Sequence, residues 1–236
     1  MILQSLLAAV LLAAAWPASA APFEDTLAQR TLACTVCHGA QGRAGPDGYY
    51  PRIAGKPAGY LYNQLLNFRD GRRHYALMTN LLAPLGDDYL REIATYFSGL
   101  DVAYPPPQPP VAEASVIERG RQLVKDGDPA RRLPACVQCH ADTMMGVAPS
   151  IPGLLGIPRD YINAQLGAWK GGARRAQPPD CMAQVATALT PADISAVSAW
   201  LAAQPALGKP ATSLPAPLPL DCGGVTKAVA TTGGGR

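Results

Sequence analysis

The chain has 236 residues, enough for one large domain or two small ones, and only 16% of them are charged, with a formal net charge of +3. So small an excess leaves no electrostatic footprint for nucleic acid. Aromatic residues make up 6% while Pro (24) and Gly (23) abound, so the side chains alone supply little volume for a large core.

Residues 1–20 lack any charged side chain, run apolar from Leu6 to Ala15, and end in Ala18-Ser19-Ala20. An apolar core before an Ala-x-Ala site reads as a secretory signal peptide, cut after Ala20. It departs from the usual pattern in having no Lys or Arg ahead of the core, and an uncleaved anchor is the alternative. Trp16-Pro17 interrupts the run, which is short for a bilayer. No later stretch has the length to span one. Export predicts a periplasmic chain, in a compartment where disulfides persist.

An opening helix over 23–33 leads into Cys34-Thr35-Val36-Cys37-His38, and the run returns as Cys136-Val137-Gln138-Cys139-His140. Cys-x-x-Cys-His is an attachment site for haem c. Each thiol adds to one porphyrin vinyl as a thioether, and the adjacent histidine ligates the iron. Zinc sites and dithiol redox motifs use similar cysteine pairs. Zinc, however, draws its pairs together over a short loop, whereas these lie about a hundred residues apart, and no βαβ context precedes either. The two runs predict two covalent haem c groups, one on Cys34, Cys37 and His38, the other on Cys136, Cys139 and His140.

Past each motif the chain repeats itself. Pro51, Gly55, Tyr60, Gln64, Phe68, Gly71 and Met78 match Pro149, Gly153, Tyr161, Gln165, Trp169, Gly172 and Met182. Tyr60, Gln64 and Phe68 are four apart, as are Tyr161, Gln165 and Trp169; this is one helix face, ended by the glycine three residues on. Closing helices carry Leu90, Ile93 and Phe97 in the first half and Ile194, Val197 and Leu201 in the second. The second starts at Thr190 as N-cap, with Pro191 in the first turn and Asp193 completing a capping box. Val116 to Val124 form the second opening helix, where Gly120 lets another helix cross closely. Strand signals are absent, so the expected fold is all-α: two tandem haem-centred bundles.

Between the bundles, Tyr104-Pro105-Pro106-Pro107-Gln108-Pro109-Pro110 favours extended polyproline II, a semi-rigid spacer. The predicted organisation is a signal peptide over 1–20, haem domains over 21–108 and 109–205, and a Pro-rich tail over 206–236. Its end, Thr231 to Arg236, reads as disordered.

A haem with histidine on one side needs a ligand on the other. Met78 and Met182 stand 40 and 42 residues past their histidines, each just before a closing helix. A thioether there shields the iron and raises its potential relative to bis-histidine ligation. Met144 and Met145 lie too close to His140 to reach the far face and read as packing. His74 is the alternative at the first iron and a Cys181 thiolate at the second. Four of the six cysteines go to haem, which leaves Cys181 and Cys222 to form a disulfide tying the tail across the second methionine side. Arg72-Arg73 and Arg174-Arg175 read equally as solvated surface and as charges that balance haem propionates or form a docking rim.

Residues 23–203 resemble the di-haem cytochromes of the cytochrome c4 type. The likeness rests on both haem motifs, on Pro51-Arg52-Ile53-Ala54-Gly55 followed by Tyr60-Leu61-x-x-Gln64-Leu65, and on the Met78 and Met182 positions. It implies tandem cytochrome c domains in which a proline carbonyl, here of Pro51 and Pro149, orients each proximal histidine. Tyr96-Phe97 and Trp200-Leu201 would pack on the opening helices. Ala141 stands where such proteins commonly have glycine. The resemblance implies an electron carrier rather than an enzyme, passing single electrons between redox proteins. A respiratory complex or periplasmic dehydrogenase would lie upstream and a terminal oxidase downstream. The Pro-rich tail with Cys222 is similar to that of cytochrome subunits serving periplasmic dehydrogenases. A di-haem peroxidase or a thiosulfate-oxidising cytochrome is the enzymatic alternative, and an assembly subunit a third.

Overall fold

Helices and turns dominate the protein in a computed structural model that describes residues 24–213 and 216–225. The expected leader over 1–20 and the chain end from Thr231 lie outside the described residues. Among the described residues the first half contains α1 (Leu27–Arg30), α2 (Leu32–His38), α3 (Ala58–Arg69), α4 (Ala76–Leu82) and α5 (Asp87–Gly99). The second contains α6 (Ala114–Lys125), α7 (Val137–His140), α8 (Arg159–Lys170), α9 (Cys181–Ala188) and α10 (Pro191–Ala202). The opening helix expected over 23–33 is instead two pieces that run on to His38. Thr31 makes the break: its hydroxyl donates to the Leu27 carbonyl at 2.7 Å, the kind of back-bond that bends a helix.

Each half buries its own core. Leu61, Phe68, Leu82, Leu90, Ile93 and Phe97 fill the first. Leu123, Met144, Met145, Leu166, Val197 and Leu201 are among those filling the second, so the adjacent methionines do pack. At the start of α10 the Asp193 amide donates to Thr190 Oγ1 at 3.1 Å and the Thr190 amide to Asp193 Oδ2 at 3.0 Å, which is the expected capping box. Arg119 and Arg131 also close on Asp193. Burial alone would push that carboxyl up, but the Arg131 and Thr190 hydrogen bonds outweigh it and hold Asp193 well below the usual carboxylate range.

Helices α6 and α10 cross at Gly120, where an added Cβ would sit 2.2 Å from the Ala196 carbonyl oxygen and 2.9 Å from Trp200 Cβ. Backbone on one side leaves nothing flexible to yield. Gly120→Ala should therefore cost about 1–3 kcal/mol, as overpacked cores do, read from the denaturant midpoint. An unchanged midpoint would show that the two helices can part freely.

A short antiparallel ribbon joins α7 to α8: β1 (Gly146–Val147) pairs with β2 (Ile151–Pro152), Gly146 opposite Pro152 and Val147 opposite Ile151. This corrects the expectation of no strand; two residues on each side are too few to show a period of two. The tail joins the ribbon. The Ala148 amide donates to the Ala211 carbonyl at 2.8 Å and the Ala211 amide to that of Gly146 at 2.9 Å. Leu218 and Val225 then pack on Ala141, Val147 and Ile151.

The spacer is extended and docked on both halves. The Arg52 guanidinium lies 4.1 Å from the Tyr104 ring centroid. The Gln108 amide reaches the Ala202 carbonyl at 2.8 Å, and Gln108 Oε1 accepts from the Arg159 amide at 2.9 Å. Elsewhere the halves meet through an antiparallel pairing of 72–74 with 173–175: His74 amide to Ala173 carbonyl at 3.0 Å, Arg175 amide to Arg72 carbonyl at 2.7 Å. Mutual donation of this kind relates the halves by an approximate twofold. Among the described residues no single helix is long and apolar enough to cross a membrane.

Candidate haem sites

Each Cys-x-x-Cys-His run folds into a helical turn that ends in its histidine, with His38 8% and His140 7% exposed. His38 Nδ1 donates to the Pro51 carbonyl and His140 Nδ1 to the Pro152 carbonyl, both at 2.8 Å. A carbonyl can only accept, so Nδ1 carries the hydrogen and Nε2 keeps the lone pair a metal needs. Burial pushes both imidazoles down against the carbonyl's pull, and a cation adds to the lowering: Arg73 at His38, Lys56 at His140. The neutral ring is the ligating form.

Pro152, not Pro149, is the proline that orients the second histidine. From Pro51/Pro152 through Gly55/Gly156, Tyr60/Tyr161 and Arg73/Arg174 the two halves keep one constant offset. Gly55 and Gly156, with φ +69° and +66°, are therefore the matched turn, and Gly153 is not. Strand β2 carries Pro152 under His140. Pro149 lies in the preceding turn and gives its carbonyl to the Tyr60 amide of the other half at 3.1 Å. After each histidine the chain takes a positive φ, +73° at Gly39 and +64° at Ala141. Alanine there, with ψ 160°, carries a strain of about 1–3 kcal/mol that glycine avoids.

Burial raises the Cys34 and Cys139 thiols and pushes Cys136 up to about 12, the reverse of a dithiol catalyst's lowered pKa. Among the described residues no group of three His, Cys, Asp or Glu gathers as a zinc site would require.

Both motifs open on one cavity of about 1450 Å³, lined by His38, Met78, His140 and Met182 and otherwise largely apolar, larger than the ~300–1,000 Å³ of an ordinary ligand pocket. Met78 is on α4 and Met182 on α9, each half-buried. His74 also reaches the wall, from an exposed position. Cys181 is bonded to Cys222, so the thiolate alternative for the second iron falls away.

Four of the cations that line this cavity are buried: Arg52, Lys56, Arg73 and Arg174, at 5%, 6%, 9% and 5% exposure. Among the described residues none of the four is ion-paired, and the one buried carboxylate, Asp193, is held elsewhere by Arg119 and Arg131. The reading of Arg72-Arg73 and Arg174-Arg175 as plain surface therefore fails for the inner member of each pair. Gln64 Oε1 accepts from Arg73 at 2.9 Å and from Arg174 at 3.1 Å; Gln165 Oε1 accepts from Arg174 at 2.8 Å and from Arg73 at 2.6 Å. Phe68 stacks on Arg73 and Trp169 on Arg174, at 4.4 and 3.6 Å. The repeated Tyr-Gln-aromatic helix face thus exists to seat these guanidiniums. Burial, with Arg73 beside it, lowers Arg174 to about 10, and burial with Arg52 nearby lowers Lys56 to about 8. Buried cations need anions, and two haems bring four propionates. The residues fit the group.

No family model matches the chain. It is 41% identical over 172 residues to the thiosulfate dehydrogenase electron acceptor of Thiomonas intermedia (strain K12), covering 73% of this chain and 78% of that one. It is 31% identical over 174 residues to cytochrome c4 of Pseudomonas aeruginosa, covering 73% and 84%. Reduced recombinant cytochrome c4 from Pseudomonas stutzeri superposes with a TM-score of 0.63 at 29% identity, over 74% of this chain and 94% of that one. An all-α fold with two such sites is that of an electron-transferring c-type cytochrome. Within that class the chain belongs to the cytochrome c4 type, the di-haem carriers built from tandem cytochrome c domains.

Proposed function

We propose that the chain is an exported carrier holding two covalent haem c groups, which takes single electrons from a thiosulfate-oxidising dehydrogenase and hands them to a terminal oxidase. Cys34, Cys37 and Cys136, Cys139 would hold the porphyrins, His38 and His140 the proximal faces, Met78 and Met182 the distal ones. The domains would span 21–108 and 109–205, with 206–236 as the tail and the leader removed in the periplasm. Bound haem supplies a one-electron iron couple. The chain's part is to fix each imidazole through a proline carbonyl, exclude water with an apolar wall, and answer propionate charge with buried cations.

One observation carries the reading: each motif's histidine is buried, locked by Nδ1 to a proline carbonyl, and opens on the same cavity as a matched methionine. The donor assignment is supported by the relative named as the electron acceptor of thiosulfate dehydrogenase. A pyridine haemochrome assay on purified protein should count two c-type haems, and denaturing gels should keep the haem stain. One haem per chain, or none, refutes the cofactor reading. Stopped-flow mixing with a thiosulfate dehydrogenase and thiosulfate should reduce the carrier within the enzyme's turnover time. Reduction no faster than by thiosulfate alone would refute the partner.

A further inference from the structure

Three of the four buried cations leave the second haem's own half-site poorly distinguished from the first. Arg73 and Arg174 are twofold mates with crossed bonds to Gln64 and Gln165, so each is shared between the halves. Arg52 is spent at home, on the backbone carbonyls of Ala54, Val102 and Ala103 and on the Tyr104 ring. Lys56 differs. It belongs to the first half but extends its Nζ to the Gly153 carbonyl of the second, at 3.0 Å. Gly153 follows Pro152, the residue that receives His140 Nδ1. By the constant offset its counterpart is Ile157, so the equivalent position of the second half offers no cation to the first. One of its three N–H donors is accounted for, it is 6% exposed, and it lines the same cavity as His140. Among the described residues Arg52 is the charged side chain that acts on it, and Lys56 in turn acts on His140.

We propose that Lys56 is the counter-cation of the second haem, supplied across the domain interface, and that it holds that haem's reduction potential up without acting equally on the first. This rests on the di-haem reading. A fixed positive charge favours the iron state with one positive charge fewer, so it stabilises the ferrous form. A buried ammonium in turn requires an anion, and a propionate of the second haem, held in the cavity that Lys56 and His140 both line, would supply it. The two haems, in frames that are nearly twofold copies, are thereby made unequal.

Lys56→Gln tests this directly, since it keeps a donor for Gly153 while removing the charge; Lys56→Met removes both, and Lys56→Arg restores charge. In the haem-loaded full chain, redox titration followed through haem-methyl NMR signals separates the two irons, the second identified by NOEs to Trp169. The neutral variants should shift the second haem's oxidised-to-reduced ratio at fixed potential by on the order of tenfold, which is about 59 mV for one electron. The first haem should move far less, and Lys56→Arg should recover most of the loss. Equal movement of both haems, no movement, or an arginine variant as low as the glutamine one would overturn the proposal. Haemochrome counts on parent and variants keep the two readings apart: a parent with fewer than two haems refutes the di-haem basis. Two haems with an unshifted second potential refute the role of Lys56 alone.

Discussion

Replacing Met182 by alanine should convert one haem to a high-spin or water-ligated form and drop its reduction potential by on the order of 0.1–0.2 V, well within the ~0.8 V that axial ligands command. The reason is donor chemistry: a thioether favours the ferrous iron, and water does not. Helix α9 is anchored to present that sulfur. Asp180 caps it, accepting from the Ala183 amide at 3.0 Å and the Ala176 amide at 2.6 Å. Cys181, the residue before Met182, is bonded to the tail. Met78→Ala should do the same to the other haem. Met145→Ala is the control: Met145 is 2% exposed in the second core, so its loss should cost stability and leave the spectrum alone. The weak red-end methionine-to-iron band and a spectroelectrochemical titration measure both effects. A silent Met78→Ala with an altered His74→Ala would move the first distal ligand to His74.

Removing the Cys181–Cys222 bond should cost roughly 4 kcal/mol by the chain-entropy relation for a loop of this length, the cysteines being 41 residues apart. That corresponds to a fall in melting temperature of about 10 °C for a chain of this size. Among the described residues the tail's other anchors include the Ala211 pairing with the ribbon, Leu218 and Val225 on a small apolar cluster, the Gly223 amide on the Pro179 carbonyl at 2.9 Å, and the Gly224 carbonyl, which accepts from Asn63 Nδ2 at 2.7 Å. Cys222→Ser and Cys181→Ser should be equally costly, and the double variant no worse than either, because one bond is lost in all three. Scanning calorimetry of the haem-loaded protein measures this. Free alkylatable thiol in the native parent, or a loss below about 1 kcal/mol, would show that the tail is not a staple.

Much of the site could be read in advance because its logic is short-range. Cysteine, cysteine and histidine within five residues point to a haem attachment site by reach alone. Tyr60, Gln64 and Phe68 declare a helix by their spacing, and Thr190 to Asp193 declare its neighbour's start, since a cap involves only four residues. The disulfide followed from counting cysteines. Each of these depends on chain neighbours or on the chemistry of a single residue type.

The errors lie where distance along the chain is long. Two prolines, Pro149 and Pro152, both follow the second motif at a plausible interval, and only the pairing of β1 with β2 decides which carbonyl lies under His140. For Arg73 and Arg174, beside Arg72 and Arg175, surface charge and propionate partner stay equally open in the sequence; their burial depends on the other half, about a hundred residues away. Lys56 carries no local signal at all beyond being a lysine. The sequence by itself determined that this is a tandem all-α cytochrome with two haem attachment runs and one tail disulfide, because covalent spacing and helical periodicity are properties of adjacent residues. The tertiary structure alone decided which proline holds the second histidine and which cations are buried between the halves. The side-chain pattern of one half does not reveal which surface of the other will remove its charges from water.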